Sequence, residues 1–235
     1  PLSQQKFTRL RNLASTAIQK LLIQFLELAQ TAKHGTPKEV LHSGEKLITI
    51  AKTKIPRLAI EIFRLMALAK LDLGNPEEAV QLCNKARGFI TGIEGSLNEM
   101  AFQQIQQKRM HLSMTHSACL VFSCRYTEAV QLCESEDNLA KELGLQKEKA
   151  PLLVNWSITL LRLGHRQKAK SVIMRCRRII DKYNFPTAQA WCSLVEGQLA
   201  IDRGEIAAGQ NKIAEAISIG QSLKLRELLS QAWTF

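Results

Sequence analysis

Six cysteines and five histidines are the residues of this 235-residue chain that could bind a metal ion or form disulfides. Structural zinc sites are commonly built from Cys-x-x-Cys pairs, and no two cysteines here have that spacing. His111 and His116 are five residues apart, which is a poor spacing for two ligands on one helical face. Cys83, Cys133 and Cys176 fall at apolar positions of helical patterns, where cysteine acts as a small hydrophobe. We therefore expect structural cysteines, no metal, no cofactor and an intracellular location in the cytoplasm or the nucleus.

Motifs that would support catalysis are missing from the sequence. It contains no phosphate-binding loop, no dinucleotide fingerprint and no Gly-x-Ser-x-Gly elbow. The closely spaced Gly88, Gly92 and Gly95 are interpreted as helix-ending glycines. The prediction is a protein that is not an enzyme.

Basic residues give the chain a net charge of +11, from 32 Lys and Arg against 21 Asp and Glu. The excess is densest between Arg162 and Lys182. On a helical wheel the apolar residues of this segment share one face, and the basic residues cover the rest. We call the latter the basic stripe; it comprises Arg166, Lys168, Lys170, Arg175, Arg177, Arg178 and Lys182. Such a surface can contact an acidic protein or a nucleic-acid backbone, or it can be a solvated helix face.

A duplicated hexapeptide shows how the chain is organised. Glu-Ala-Val-Gln-Leu-Cys occurs at Glu78–Cys83 and again at Glu128–Cys133. Each copy follows a turn in which a glycine, or a cysteine in the same frame, ends one helix before the next begins. Five such anchors recur with spacings of 39, 50, 40 and 40 residues: Gly35, Gly74, Cys124, Gly164 and Gly204. A unit of this length holds two helices and two short turns.

Small residues recur at fixed distances from these anchors, which predicts close packing of the helices. Seven residues before the anchors lie Leu28, Ala67, Ser117, Ser157 and Gly197. Five residues after them lie Val40, Ala79, Ala129, Ala169 and Gly209. Twelve residues after them lie Leu47, Ala86, Glu136, Cys176 and Ala216.

This pattern of small residue, turn glycine and alanine resembles the tetratricopeptide repeat (TPR) superfamily. The period near forty resembles the longer repeats of MalT-type regulators and signalling ATPases, and HEAT-type repeats have similar periods. The resemblance implies an all-α, right-handed α-solenoid of about five antiparallel helix hairpins plus the start of a further helix. We expect one domain over 1–235, cut from a longer protein. Its predicted units are 17–55, 57–92, 97–145, 150–184 and 187–223, followed by a helix start at 224–235.

The resemblance also implies that the first helix of each hairpin lines a concave groove. The groove residues expected to bind a partner are Arg64, Leu68, Met114, Val154, Asn155, Ile158, Trp191, Leu194 and Gln198. The set is mostly apolar, which suits an amphipathic helix from another protein or from another segment of the parent chain. The alternative is that long helices bury these positions. Only Arg64 and Asn155 resemble the residues with which some TPR proteins hold a C-terminal carboxylate.

The fifty-residue spacing predicts one unusually long helix, from about Leu97 to about Ser123. Ser96 and Glu99 have the spacing of a capping box at its start. Glutamines at 103, 104, 106 and 107 give its added turns a polar face. Three functions follow from the sequence: a protein-interaction scaffold, an effector-sensing regulatory domain, and an auxiliary contact of the basic stripe with nucleic acid or an acidic partner.

Overall fold

The computed structural model describes residues 4–232, and this part of the chain contains twelve α-helices and no strand. The first six helices are α1 (Gln4–Leu13), α2 (Ala17–His34), α3 (Pro37–Lys54), α4 (Pro56–Asp72), α5 (Pro76–Glu94) and α6 (Glu99–Phe122). The others are α7 (Tyr126–Glu142), α8 (Ala150–Arg162), α9 (Arg166–Tyr183), α10 (Pro186–Ile201), α11 (Ile206–Leu223) and α12 (Arg226–Ala232). Residues 233–235 of the predicted terminal helix lie outside the described part.

The helices fall into two compact units, which meet in sequence at Cys124 and Arg125. Within the first unit, α2 packs on α3 and α4 packs on α5 as hairpins, and α6 packs on both α4 and α5. Within the second unit, α8 packs on α9 and α10 packs on α11 in the same way. That the chain forms one domain with the predicted unit boundaries stays a prediction.

The turns between paired helices explain why the anchor positions recur. Gly74, Gly164 and Gly204 have φ of 75°, 76° and 81°, in the left-handed region that glycine enters at little cost. Cys124 occupies the same conformation with φ of 58°. The residue after each of these glycines donates its N–H to a carbonyl five residues back, as in Asn75 to Lys70 at 2.9 Å. Gly35 differs, because it has φ of −96° and ends α2 in an extended conformation.

Two details at the junction between α5 and the long helix α6 differ from the prediction. Gly88 and Gly92 do not end α5, which continues to Glu94 and stops at Gly95. The N-cap of α6 is Asn98, whose side chain accepts from the Ala101 N–H at 2.9 Å. Ser96 instead donates its hydroxyl to the Ile93 carbonyl at 2.8 Å, which satisfies the end of α5 and leaves no capping box. The predicted added length is confirmed, because α6 has 24 residues and the next longest helix has 19.

The small-residue register predicts the core. All fifteen positions of the three series are buried. Helices α10 and α11 approach each other closely, since a Cβ on Gly209 would lie 2.9 Å from the Gly197 carbonyl oxygen. Tight helix contacts of this kind hold each first helix at a fixed distance from its partner, and this positions the side chains described next.

Candidate functional site

A cleft in the second unit brings together three of the predicted groove residues: Ile158, Leu194 and Gln198. Its volume is about 240 Å³. Helices α8, α10 and α12 form its walls. The other lining residues are Leu161, Arg162, Val195 and Gln231. The arrangement is an apolar cavity with three polar side chains, which is typical of binding sites for small groups or single side chains.

Helical spacing explains why these side chains meet. Ile158, Leu161 and Arg162 are three and four residues apart, so they project from one face of α8. Leu194 and Gln198 are four residues apart on α10 and face the same cavity. Gln231 lies on α12. Leu228 of the same short helix is fully buried, and it holds the helix against the core. The cleft is therefore built by three helices that are each anchored in the core.

Arg162 is the charged group of the cleft. Its side chain is exposed at the end of α8, and none of the side chains that the structure describes forms an ion pair with it. An unpaired guanidinium beside apolar walls can accept a carboxylate from a bound molecule in bidentate geometry. Sequence reasoning placed Arg162 within the basic segment and did not assign it to the groove.

The remaining groove residues of the second unit are less accessible than the groove prediction implied. Val154 is buried in the core of this unit, and Leu194 reaches the cleft with only a small exposed fraction. Trp191 is half-buried between two apolar clusters, one on each side of α10. Asn155 is half-buried and its backbone carbonyl accepts from the Thr159 hydroxyl at 2.7 Å. For Val154 the alternative of burial by long helices describes the structure better, whereas Leu194, although mostly buried, lines the cleft.

In the first unit, Arg64, Leu68 and Met114 are half-buried. Arg64 donates two hydrogen bonds to Glu61, at 2.6 and 3.0 Å. Burial opposes ionisation of Glu61, but the hydrogen bond and charge of Arg64, with the charge of Lys108, hold the pKa of that carboxyl below its usual value. Because Arg64 already binds a carboxylate of its own unit, it is poorly suited to hold a partner's carboxylate.

The basic stripe is divided by ion pairs within its own unit. Arg166 binds Asp202 at 2.7 Å, and Arg177 binds Glu196 at 2.7 Å. Burial disfavours the charged form of Arg177, but its hydrogen bond to Glu196 raises the pKa of the guanidinium. The exposed members of the stripe are Arg166, Lys168, Lys170, Arg178 and Lys182. The apolar face of α9 is confirmed, since Ala169, Val172, Ile173, Cys176 and Ile180 are buried.

Arg175 belongs to a buried ionic cluster that sequence reasoning missed. Its guanidinium binds Asp137 on α7 and lies over the Trp156 ring, with 5.7 Å to the ring centroid. Asp137 also binds Lys149 at 3.2 Å and Lys141 at 2.9 Å. Burial opposes ionisation of Asp137, but hydrogen bonds from the three cations hold its pKa below the usual value. Burial likewise lowers the pKa of Lys149. Lys141 is four residues from Asp137, but Lys149 and Arg175 are 12 and 38 residues away, so no local motif reveals the whole cluster.

The cysteines pack as the sequence indicated, since all except Cys124 are buried. Cys83 hydrogen-bonds Cys119, and this bond together with burial raises the pKa of the Cys83 thiol. Within residues 4–232 no group of three or more His, Cys, Asp or Glu could hold a metal ion. None of the helices that the structure describes has the length and apolarity needed to cross a membrane.

Comparison with known proteins shows the fold. No protein-family model and no curated protein sequence matches the chain. Among solved structures, the apo form of RapI aligns with a TM-score of 0.68 at 11% identity, over 91% of this chain and 74% of RapI. Aspartyl phosphate phosphatase F from Bacillus subtilis also gives 0.68, at 10% identity, over 92% of this chain and 54% of its own.

A signal transduction ATPase with numerous domains (STAND) from Pyrococcus horikoshii, with a tetratricopeptide repeat sensor, gives 0.66 at 12% identity. The match covers 92% of this chain and 32% of the ATPase. These likenesses show a fold of TPR-like helical repeats. The predicted all-α class of TPR-like hairpins is therefore confirmed. The chain spans about half of the phosphatase and about a third of the ATPase.

Proposed function

We propose that this TPR-like chain is a protein-interaction module that holds a partner segment by one apolar side chain in the cleft between α8, α10 and α12. The observation that supports this is the cleft itself, in which Ile158, Leu161 and Leu194 surround a cavity with Arg162 at its edge. Burial of one leucine- or phenylalanine-sized side chain contributes about 1.5–3 kcal/mol. A carboxylate beside that side chain would add a charge-assisted hydrogen bond to Arg162.

The volume of the cleft favours a peptide over a small effector. Pockets for small molecules usually have volumes of about 300–1,000 Å³ and enclose most of the ligand. A cavity of about 240 Å³ is below that range and fits a single side chain. The STAND ATPase carries a TPR sensor, which supports a regulatory use of this fold. We therefore keep a regulatory role, with the bound segment drawn from another protein or from the parent chain.

The other predicted functions receive less support. Three arginines of the basic stripe are bound to carboxylates of their own unit, which reduces the positive charge that the stripe can offer to a nucleic acid. That the chain is not an enzyme and that it is intracellular remain predictions.

The test is to select peptides that bind the protein from a random library and to measure their affinity by fluorescence anisotropy. We expect the selected peptides to share an apolar residue close to an acidic one. Ile158→Glu should weaken binding at least about tenfold, because it places a charge in the cavity. Arg162→Glu should do the same without touching the core, so the test survives if Ile158→Glu unfolds.

The matched control is Met174→Glu, on the half-exposed side of α9. It should leave the affinity unchanged. Selected peptides that bind wild type and Arg162→Glu equally well, or that lose affinity with Met174→Glu, would refute the cleft as the binding site.

A further inference from the structure

The first unit has a cleft of its own, lined by residues of α1, α2 and α3, which we call the polar cleft. Helices α1 and α3 both pack on α2, and this places the side chains of all three helices around one space. The volume of the polar cleft is about 700 Å³. Sites for small molecules usually have volumes of about 300–1,000 Å³, so the polar cleft has the size of such a site.

The polar cleft has an apolar floor and polar walls. Phe7, Leu28 and Leu47 form the floor, since each is buried and each comes from a different helix. The other eight of the eleven lining side chains are polar or charged. An apolar ligand would cover these groups without offering them hydrogen bonds, which costs binding free energy. The walls therefore favour a ligand with many hydrogen-bonding groups.

One carboxylate and two cations line the polar cleft, which gives its side chains a net charge of 2 − 1 = +1. The carboxylate of Glu27 already binds Arg11 at 2.6 Å. Lys46 is exposed, and none of the described side chains forms an ion pair with it. A singly charged anion is complementary to this arrangement, whereas a cation would meet a carboxylate that Arg11 has already neutralised.

Two neutral side chains of the polar cleft add hydrogen-bonding groups to the ammonium of Lys46. Ser43 is three residues before Lys46, so the hydroxyl and the ammonium project from one face of α3. Both are donors that a carboxylate can accept from. Gln24 of α2 lines the same cleft, and its amide can both donate to and accept from a hydroxyl group. Neither Gln24 nor Ser43 has a side-chain hydrogen bond to a described residue.

We infer that the polar cleft binds a small hydroxylated monocarboxylate, a sugar acid of about disaccharide size. Its carboxylate would accept from Lys46 and Ser43, and its hydroxyl groups would bond to Gln24 and the other polar walls. A doubly charged phosphate monoester matches less well, because Lys46 is the one lining cation without a carboxylate partner among the described side chains. The inference is independent of the proposed peptide cleft, because it rests on other residues in the other unit.

The test is equilibrium dialysis of the protein against lactobionate, a disaccharide acid with one carboxylate. Lactitol is the matched control ligand, since it has the same skeleton with a hydroxymethyl group in place of the carboxylate. We expect lactobionate to bind with a dissociation constant below about 1 mM and lactitol to bind at least about tenfold more weakly. Decanoate keeps the carboxylate on an apolar chain, and it should also bind at least about tenfold more weakly than lactobionate.

Two variants test the residues that would hold the carboxylate. Lys46→Met should weaken lactobionate binding at least about tenfold, and Ser43→Ala should weaken it about threefold or more. The matched control is Lys38→Met, which removes the same charge from an exposed position of α3 outside the polar cleft. It should leave the affinity unchanged. Lys46 and Lys38 are both exposed, so these variants should fold, and circular dichroism checks that helicity is kept.

The inference is overturned if lactobionate does not bind at about 5 mM, if lactitol or decanoate binds as tightly, or if Lys46→Met binds like wild type. Equal losses in Lys46→Met and Lys38→Met would also overturn it, because they would show attraction by the general positive charge. Arg162→Glu in the second unit should leave lactobionate binding unchanged. Failure of this inference can therefore be told apart from failure of the proposed peptide cleft.

Discussion

Replacement of Asp137 by alanine should destabilise the second unit more than any surface substitution. The Asp137 side chain is 2% exposed and that of Lys149 is 5% exposed. Without the carboxylate, Lys149 would remain buried without its counter-charge, and the burial that already lowers its pKa would be uncompensated. Removal of one partner of a buried ion pair costs about 3–5 kcal/mol.

The exposure of the other two cations sets the magnitude at the lower end of that range. Lys141 and Arg175 can turn toward water when the carboxylate is removed, since their side chains are already 50% and 29% exposed. Lys149 cannot. We therefore expect Asp137→Ala to lower the free energy of unfolding by about 3 kcal/mol. This is a large part of the roughly 5–15 kcal/mol of a typical domain.

The assay is urea unfolding followed by circular dichroism, with Asp181→Ala as the matched control. Asp181 is an exposed aspartate on α9, and its loss should cost less than about 0.5 kcal/mol. Adding Lys149→Met to Asp137→Ala should recover part of the loss, because the unpaired buried charge is removed. If Asp137→Ala is no worse than Asp181→Ala, or if Lys149→Met makes it worse, the cluster does not stabilise the fold as we argue.

Four further outcomes follow from the structure. Gly164→Ala should cost about 1–2 kcal/mol of unfolding free energy through its positive φ alone, whereas Gly88→Ala, inside a helix with open space around it, should stabilise by up to about 1 kcal/mol; equal effects in urea unfolding would contradict this. Gly209→Ala should cost about 1–3 kcal/mol by thermal unfolding, because its Cβ would meet the backbone of α10, and no loss would contradict the close packing. The stabilisation by Asp137 should be complete above its unfolded pKa of about 4 and disappear as pH falls through its lower folded pKa; an unfolding series in which wild type and Asp137→Asn lose stability in parallel would be inconsistent with it. Maleimide should modify Cys124 before any other cysteine, and mass spectrometry that finds rapid labelling of the others without unfolding would contradict their burial.

The repeat architecture could be predicted because its determinants are local. A left-handed turn residue at Gly74, Gly164 or Gly204 is required by backbone sterics, so the anchor is visible in the sequence itself. The small residues at fixed distances from the anchors are likewise required for helices to approach closely. The one anchor that behaves differently, Gly35, precedes Thr36 and Pro37, where a capping box begins α3 and the chain is extended.

The site could be predicted only in part, because its determinants are tertiary. Ile158, Leu194 and Gln198 were found from repeat register, since the register fixes which helix face they occupy. The role of Arg162 depends on its having no acidic partner among the described side chains, whereas Arg175 and Arg177 in the same basic segment do have one. Those partners are set by how α7, α9 and α10 pack, which helical periodicity on one segment does not reveal. The contribution of Gln231 depends in the same way on where α12 packs.

We propose that the cleft of the second unit receives an apolar side chain of a bound segment. The most direct measurement is a crystal structure of the protein with a peptide selected as described above. We expect the peptide's apolar side chain to lie between Ile158 and Leu194, with a peptide carboxylate bound to Arg162. A peptide bound elsewhere, with this cleft unoccupied, would contradict it.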